Sequence, residues 1–299
     1  TPETLHFVKI NRAFLGEGNA FDYAQIPDST EFTEDQLTGQ IQRLDAQGNV
    51  AESFTLQDTI LDNREPGIFN GPQHKLYYFN GVLDPSATYR FHAIAKGEEL
   101  TATTILVNNF SPNPTLISPI GRLGLATVGG YSNYTVRWDS GLNGKRYELS
   151  YRFNYAEVVG EDTIEKSFTQ FVGSAIAGTS NGGEDLQAVI EGETFYSTVA
   201  SEVTAHSAQN VSKRLYRGVD LIWAVASPEL HTYLQLASPI SGVVEDRPQF
   251  SNVTNGYGLF TSRFFREVQG KQLNDASGTE LMEGQYTGGL EFCVPGTCD

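Results

Sequence analysis

The sequence predicts a mainly β protein, with an N-terminal β-sandwich followed by a larger β-rich domain carrying one or two short helices. Three observations predict it. Short segments with period-two alternation recur along the chain, and 30 glycines and 12 prolines punctuate them. At 299 residues the chain exceeds the usual length of one domain. The proline-rich stretch "NNFSPNPT" at 108–115 then divides it into expected domains 1–109 and 110–299.

In the first part, "LHFVKIN" (5–11), "LTGQIQRL" (37–44) and "KLYYFN" (75–80) read as strands between turn signals. In "GVLDPSATYRFHAIAKGEELTATTILV" (81–107), Tyr89, Phe91 and Ala93 share one face and "KGEE" makes a hairpin. Roughly seven short strands in this span read as a sandwich. The two prolines of "NNFSPNPT" predict a stiff linker free of helix and ladder.

In the second part, "NYTVRWDS" (133–140) alternates Tyr134, Val136 and Trp138. "KRYELSYRFNYAEV" (145–158) puts Tyr147, Leu149, Tyr151, Phe153 and Tyr155 on one face, and "DTIEKSFTQFVG" pairs with it after a Gly160-Glu161 turn. Phe195, Tyr196, Val199 and Val203 recur at helical spacing in 192–206. "RGVDLIWAVA" (217–226) reads as a central strand, and "SPELHTYLQLAS" (227–238) as a helix capped by Ser227 with Pro228 and Glu229 in its first turn. In "SNVTNGYGLFTSRF" (251–264), Asn255-Gly256 predicts a turn, Gly258 a bulge or close backbone approach, and Leu259 onward a strand.

The net charge of −16 argues against a nucleic-acid backbone or an anionic lipid surface as partner. The longest apolar run, "LIWAVA" (221–226), is far short of the ~20 residues that span a bilayer. A first residue Thr1 rather than Met leads us to expect a processed chain. Cys293 and Cys298 flank a Pro295-Gly296 turn, so a disulfide clip is expected, with free thiols or half a zinc site as the alternatives. A disulfide points to an oxidising compartment.

Catalytic patterns are missing. There is no Gly-x-Ser-x-Gly elbow, and His6, His74, His92, His206 and His231 are scattered. His92 reads as structural. "GEGNAF" (16–21) and "GLNGKR" (141–146) lack the remaining glycines of phosphate loops. Glu157, Asp162 and Glu165 read as solvated loop charge, and "LDNREPG" (61–67) is a faint calcium loop. The sequence therefore predicts no enzyme, no cofactor and no metal. The aromatics weighed as ligand platforms are Trp138 and Tyr257, with Trp223 expected in the core. Asn133, Asn210 and Asn252 match the N-glycosylation pattern.

"LDPSATY" resembles the corner of fibronectin type III and immunoglobulin-like domains, which makes Tyr89 the corner tyrosine. More widely, "INRAFLGEGNAFDYAQIPDS" (10–29), "LDPSATYRFHAIAKGEELTATT" (83–104), "YELSYRFNYAEV" (147–158), "PQFSNVTNGYGLFTSR" (248–263) and the tail "FCVPGTCD" resemble a family of uncharacterised outer-membrane lipoproteins of the Bacteroidota, commonly encoded beside TonB-dependent transporters. The resemblance implies an immunoglobulin-like N-terminal domain and a larger β-rich C-terminal one. It implies a lipidated Cys upstream of Thr1, which this sequence does not contain, and it brings no catalytic residues. Ser29, Thr59 and Thr163, each following Asp, are similar to the O-glycosylation acceptors of that phylum. The expected role is a non-enzymatic accessory protein at the outer-membrane surface, partnered by a TonB-dependent transporter or another outer-membrane protein. A carbohydrate-binding or adhesive module is the alternative, and a hydrolase with an unrecognised carboxylate pair the third reading.

Overall fold

The computed structural model describes residues 4–13, 17–237 and 249–298. They fall into two units: Thr1–Leu106 with Thr232–Ser262, and Val107–His231 with Arg263–Asp299. The first break lies close to the boundary read from the sequence. The difference is that residues 232–237 and 249–262, expected in the second domain, belong to the first unit.

Among the described residues, the first unit holds seven strands: β1 (Leu5–Val8), β2 (Leu37–Leu44), β3 (Val50–Thr55), β4 (Gln57–Asp62), β5 (Gln73–Asn80), β6 (Thr88–Ala95) and β7 (Glu98–Ile105). They form antiparallel sheets of order β1-β5-β4 and β3-β2-β6-β7. Phe79 of one sheet packs with Ile41, Tyr89, Phe91, Ala93 and Ala102 of the other, which is the sandwich core. The Asp84 N–H donates to the Tyr89 hydroxyl at 2.7 Å, five residues upstream of a ring that is 1% exposed, so Tyr89 forms the expected corner. Lys96 and Gly97 join β6 to β7 with φ of 51° and 89°, the double left-handed turn that matches strand twist. The β1–β2 connection carries two short helices the sequence reading omitted, α1 (Ala20–Ala24) and α2 (Pro27–Thr30), the first capped by Asn19.

Residues 249–262 run along the open edge of β7. Thr254 bridges Thr101, and the Asn255 side-chain amide donates to the Glu99 carbonyl at 3.0 Å. Asn252 clamps Phe260 at both ends, accepting from its N–H at 2.8 Å and donating to its carbonyl at 2.7 Å. That clamp seats Phe260 with its ring 5.9 Å from Phe91. The strand expected from Leu259 does not form, because a side-chain amide takes the backbone bonds a ladder would have used. The segment covers an edge that would otherwise stand unpaired.

The second unit opens with β8 (Ser111–Pro112), α3 (Pro114–Ile117), β9 (Arg122–Leu123), β10 (Ala126–Thr127), β11 (Gly130–Tyr131) and β12 (Tyr134–Asp139). It continues with β13 (Arg146–Val159), β14 (Asp162–Ile176), β15 (Asp185–Ile190), α4 (Gly192–Ala205) and β16 (Lys213–Ala226). Helix α5 (Pro228–Ala237), which the division between the units splits after His231, comes next in sequence, then β17 (Arg263–Leu273), α6 (Asp275–Glu283) and β18 (Phe292–Cys293). A large sheet runs β14-β13-β16-β17-β9, with β18 parallel to β16; a small one runs β15-β12-β8, and β10 and β11 make a hairpin. Helix α4 presses Phe195, Tyr196, Val199 and Val203 into the core against the inward face of β13 and β16. Helix α6, started by the Asn274 cap, adds to the helices expected from the sequence, because its weak apolar face hides it there.

The linker expectation is corrected here. Pro112 pairs with Trp138 in an edge strand and Pro114 opens α3, both positions where a missing N–H is harmless. Phe110, between them and the first unit in sequence, is buried against Tyr147 and Trp223. A second tyrosine corner follows: the Gly141 N–H donates to the Tyr147 hydroxyl at 2.7 Å. Gly144 is required beside it, since a Cβ there would lie 2.1 Å from that hydroxyl oxygen.

Candidate functional site

The alternation of β13 decides which side of the large sheet is available. Tyr147, Leu149, Tyr151, Phe153 and Tyr155 point into the core, so Arg146, Glu148, Ser150, Arg152 and Asn154 line the opposite side. Strand register extends that side into rows. Phe171, Ser150, Ile222 and Glu267 form one, Ser174, Glu148, Ala224 and Phe265 the next, and Ile176, Arg146, Ala226 and Arg263 the third. Phe171 is 54% exposed and Phe265 60%, with the Arg263 guanidinium 4.7 Å from the Phe265 ring centre. Three strand spacings, ~14 Å in all, separate the strands that carry the two rings.

Asp220 anchors the polar end of this face. A register shift between Val219 and Leu221 sets it opposite the Gly270 N–H, which donates at 2.7 Å. Arg152 Nη2 and Asn154 Nδ2 each donate to Asp220 at 2.8 Å, and Arg152 also reaches Glu267. Burial works to raise the Asp220 pKa, but the Gly270, Asn154 and Arg152 donors outweigh it and hold the carboxyl below its ordinary range. The group is an ionised strut that fixes Arg152. The face as a whole offers two aromatic rings, aliphatic surface between them, and fixed charges of both signs. It can hold a flat partner or stack a ring.

The other carboxylate reading is corrected. Asp162 and Glu165 are exposed, but Glu157 is fully buried. Its oxygens accept from Arg214 Nε at 3.1 Å, Lys166 Nζ at 2.6 Å and the Ala208 N–H at 2.9 Å. Burial raises its pKa, yet Lys166, Ala208 and Arg214 bring it below the usual range. The signal was present in the sequence: two residues past Tyr155, the same alternation puts Glu157 inward.

Trp138 does not serve as a platform. It is 1% exposed, with its ring 5.9 Å from Trp223 and 6.0 Å from Tyr147. Trp223 is core, as expected. Tyr257 is 69% exposed in the first unit, its hydroxyl bonded to the Gln249 side chain. Cys293 and Cys298 are joined in a disulfide, and Lys213 Nζ donates to the Cys298 carbonyl at 3.0 Å. Thr163 is exposed at the start of β14, whereas Ser29 in α2 and Thr59 in β4 are half-buried. Among the sequons, Asn210 is exposed, Asn133 caps Gly192 through its side chain, and Asn252 is occupied by Phe260. His92 bonds Glu99, His6 the Gly81 carbonyl and His74 Asn63; His206 is exposed and His231 buried. Among the described residues, no three or more His, Cys, Asp and Glu gather where they could hold a metal ion. The same residues include no helix long and apolar enough to cross a membrane.

The rows on the large sheet were hidden in the sequence because their residues come from four strands spread over 146–267. Exposed phenylalanines at strand positions look like core until the register shows which side is covered.

No protein-family model matches the sequence, and no curated protein matches it. Among solved structures, the chain is similar to the C-terminal globular domain of an oligosaccharyltransferase from Pyrococcus abyssi, with 12% identity and a TM-score of 0.31. The match covers 64% of this chain and 37% of that one.

Proposed function

We propose that this protein is a non-enzymatic binding protein of the cell surface, an outer-membrane accessory lipoprotein that associates with a TonB-dependent transporter or captures its nutrient ligand. The binding part of this reading is carried by the side of the large sheet opposite α4, where Phe171, Ile222 and Phe265 lie among Arg152, Glu148 and Arg263. Exposed aromatic surface rimmed by charge is the usual mark of an interaction site. The membrane and transporter part rests on the resemblance of the five quoted segments. Co-purification from detergent-solubilised outer membranes tests it, with the wild type and a Phe171→Ser/Phe265→Ser double variant. A transporter should accompany the wild type and be lost from the variant. Equal recovery, or none with either, removes the reading.

A second reading, a carbohydrate-binding module, is favoured by exposed Phe171 and Phe265 on one side of the large sheet. A glycan array gives hits that the double variant abolishes if it holds; an array without hits removes it.

A further inference from the structure

Two fixed cations and an imidazole meet at one end of the three-stranded sheet in the first unit, and strand order brings them there. β5 lies between β1 and β4, with Leu61 opposite His74 and Asp62 opposite Gln73. Lys9 follows the last residue of β1, and its Nζ donates to the Lys75 carbonyl at 2.7 Å, which sets it beside His74. On the other flank His74 Nε2 bonds Asn63 Oδ1 at 3.0 Å, and Arg64 is the next residue. Residues 64–72 close into a loop, in which the Arg64 N–H donates to the Pro72 carbonyl at 3.0 Å. Arg64 Nη1 donates to the Asn70 carbonyl at 2.7 Å, and the guanidinium carbon lies 5.3 Å from the Phe69 ring centre.

The chain has 36 acidic residues against 20 basic ones, yet no carboxylate pairs with these three groups. Among the described residues, the ion pairs of the first unit are Arg43–Glu52, Lys75–Asp58 and His92–Glu99, and Lys9, Arg64 and His74 take part in none. Glu31 is near enough to favour their charged forms, but its Oε1 is taken by the Lys75 N–H at 2.9 Å. Burial and then the Arg64 charge hold the Lys9 pKa below its ordinary value; burial, Lys9 and Arg64 do the same to His74. The groups therefore work against one another.

Their unused donors define what would relieve this. Arg64 Nε and Nη2 have no acceptor among the described residues, and that edge of a guanidinium fits the two oxygens of a carboxylate or phosphate. Lys9 keeps two further N–H donors on Nζ. The Asn70 carbonyl and the Phe69 ring already hold Arg64, so it gives up little side-chain freedom on binding.

We infer that Arg64, Lys9 and His74 form an oxyanion-binding site, which takes the carboxylate or phosphate group of a ligand on the Nε and Nη2 edge of Arg64. Lys9 supplies the second positive charge, and His74 becomes a further cation once the anion is in place. The site lies wholly in the first unit, so it stands or falls without the function proposed above.

The test uses the ¹⁵N-labelled full chain near neutral pH with sodium phosphate and, separately, sodium acetate, each against sodium chloride at matched ionic strength. Phosphate or acetate shifts the Arg64 Nε–H and the Lys9 amide saturably, with Kd on the order of 1 mM for so few contacts, and chloride does not. The probe that saturates at the lower concentration identifies the head group as phosphate or carboxylate. Its binding raises the His74 pKa, because a bound anion favours the imidazolium. Arg64→Gln weakens binding about tenfold, as the loss of a charge-assisted bond would. Arg64 also holds its own loop, so Lys9→Gln, at an exposed position, is the second variant. It weakens binding about threefold and raises the His74 pKa of the free protein. Lys96→Gln, in the β6–β7 hairpin, removes the same charge and changes neither. Shifts no greater than those with chloride overturn the proposal, since they report general screening. So does a Kd that Lys9→Gln leaves unchanged, or one that Lys96→Gln weakens equally.

Discussion

Replacing Glu157 by glutamine leaves the shape of the side chain and removes the charge that Arg214 and Lys166 share. In the folded protein that carboxylate has no exposure, while the Arg214 side chain is 8% exposed and that of Lys166 22%. Losing one member of a buried pair costs about 3–5 kcal/mol, because the remaining charge stays desolvated. Two features place this case at the low end. Arg214 keeps bonds to the Leu290 carbonyl at 2.7 Å and the Ser207 hydroxyl at 2.6 Å, and Lys166 can turn toward water. The expected loss is therefore about 3 kcal/mol, which at ~2 kcal/mol/M lowers the urea midpoint by ~1.5 M. The chain has two tryptophans, Trp138 and Trp223, packed together in the second unit's core, so their fluorescence reports the unfolding of this unit. Glu157 has a pKa below its ordinary 4.5, so the stability it confers is present above that value and fades as pH falls through the folded pKa. The difference between wild type and Glu157→Gln must shrink in the same window. Glu157→Leu combined with Arg214→Met should recover much of the loss, since an apolar replacement leaves no stranded charge. A midpoint shift under ~0.3 M, or a double variant no better than Glu157→Gln, would refute the reasoning.

Four further outcomes follow from the same structure. Tyr147→Phe strands the buried Gly141 N–H and should cost about 1–3 kcal/mol by tryptophan fluorescence. Tyr89→Phe frees the N–H of exposed Asp84, which water can reach, so it should cost less, about 0.5–1.5 kcal/mol, without moving the tryptophan transition, and is read by circular dichroism. Removing the disulfide with Cys293→Ser/Cys298→Ser opens a loop closed across a sequence separation of 5, so loop-closure entropy predicts a loss of only about 2 kcal/mol; unfolding of the whole unit on reduction would contradict this. Burial, with Arg146 and Lys145 nearby, holds the His231 pKa below 6.5. The unfolded chain then binds the proton first, so stability should fall as pH drops through about 6.5, and His231→Phe should flatten that slope by urea midpoints.

Local chemistry carried much of the fold. The Leu-x-Pro-to-Tyr89 corner spans seven residues, the Lys96-Gly97 hairpin two, and the alternation of β13 lies in one strand; each is a short-range constraint that a sequence displays directly. The helix at 192–205 and the Pro-Gly clip at Cys293–Cys298 belong to the same class. Where the reading stopped, the deciding partner was distant. Phe260 looked like strand because its seat on Phe91 joins residues far apart in sequence. Glu157 read as loop charge although the alternation of β13 already turned it inward; its partner Arg214, 57 positions away, is what only the fold supplies.

The candidate site shows the division most clearly. Sequence by itself determined that β13 has one apolar and one polar side, since alternation is a property of the strand. It could not determine that α4 covers the first side, nor that Phe171 and Phe265 come to lie with Arg152 and Glu148 on the second. Those outcomes depend on which strands become neighbours and in what register, and pairing of that kind is settled by packing between residues that the chain keeps far apart.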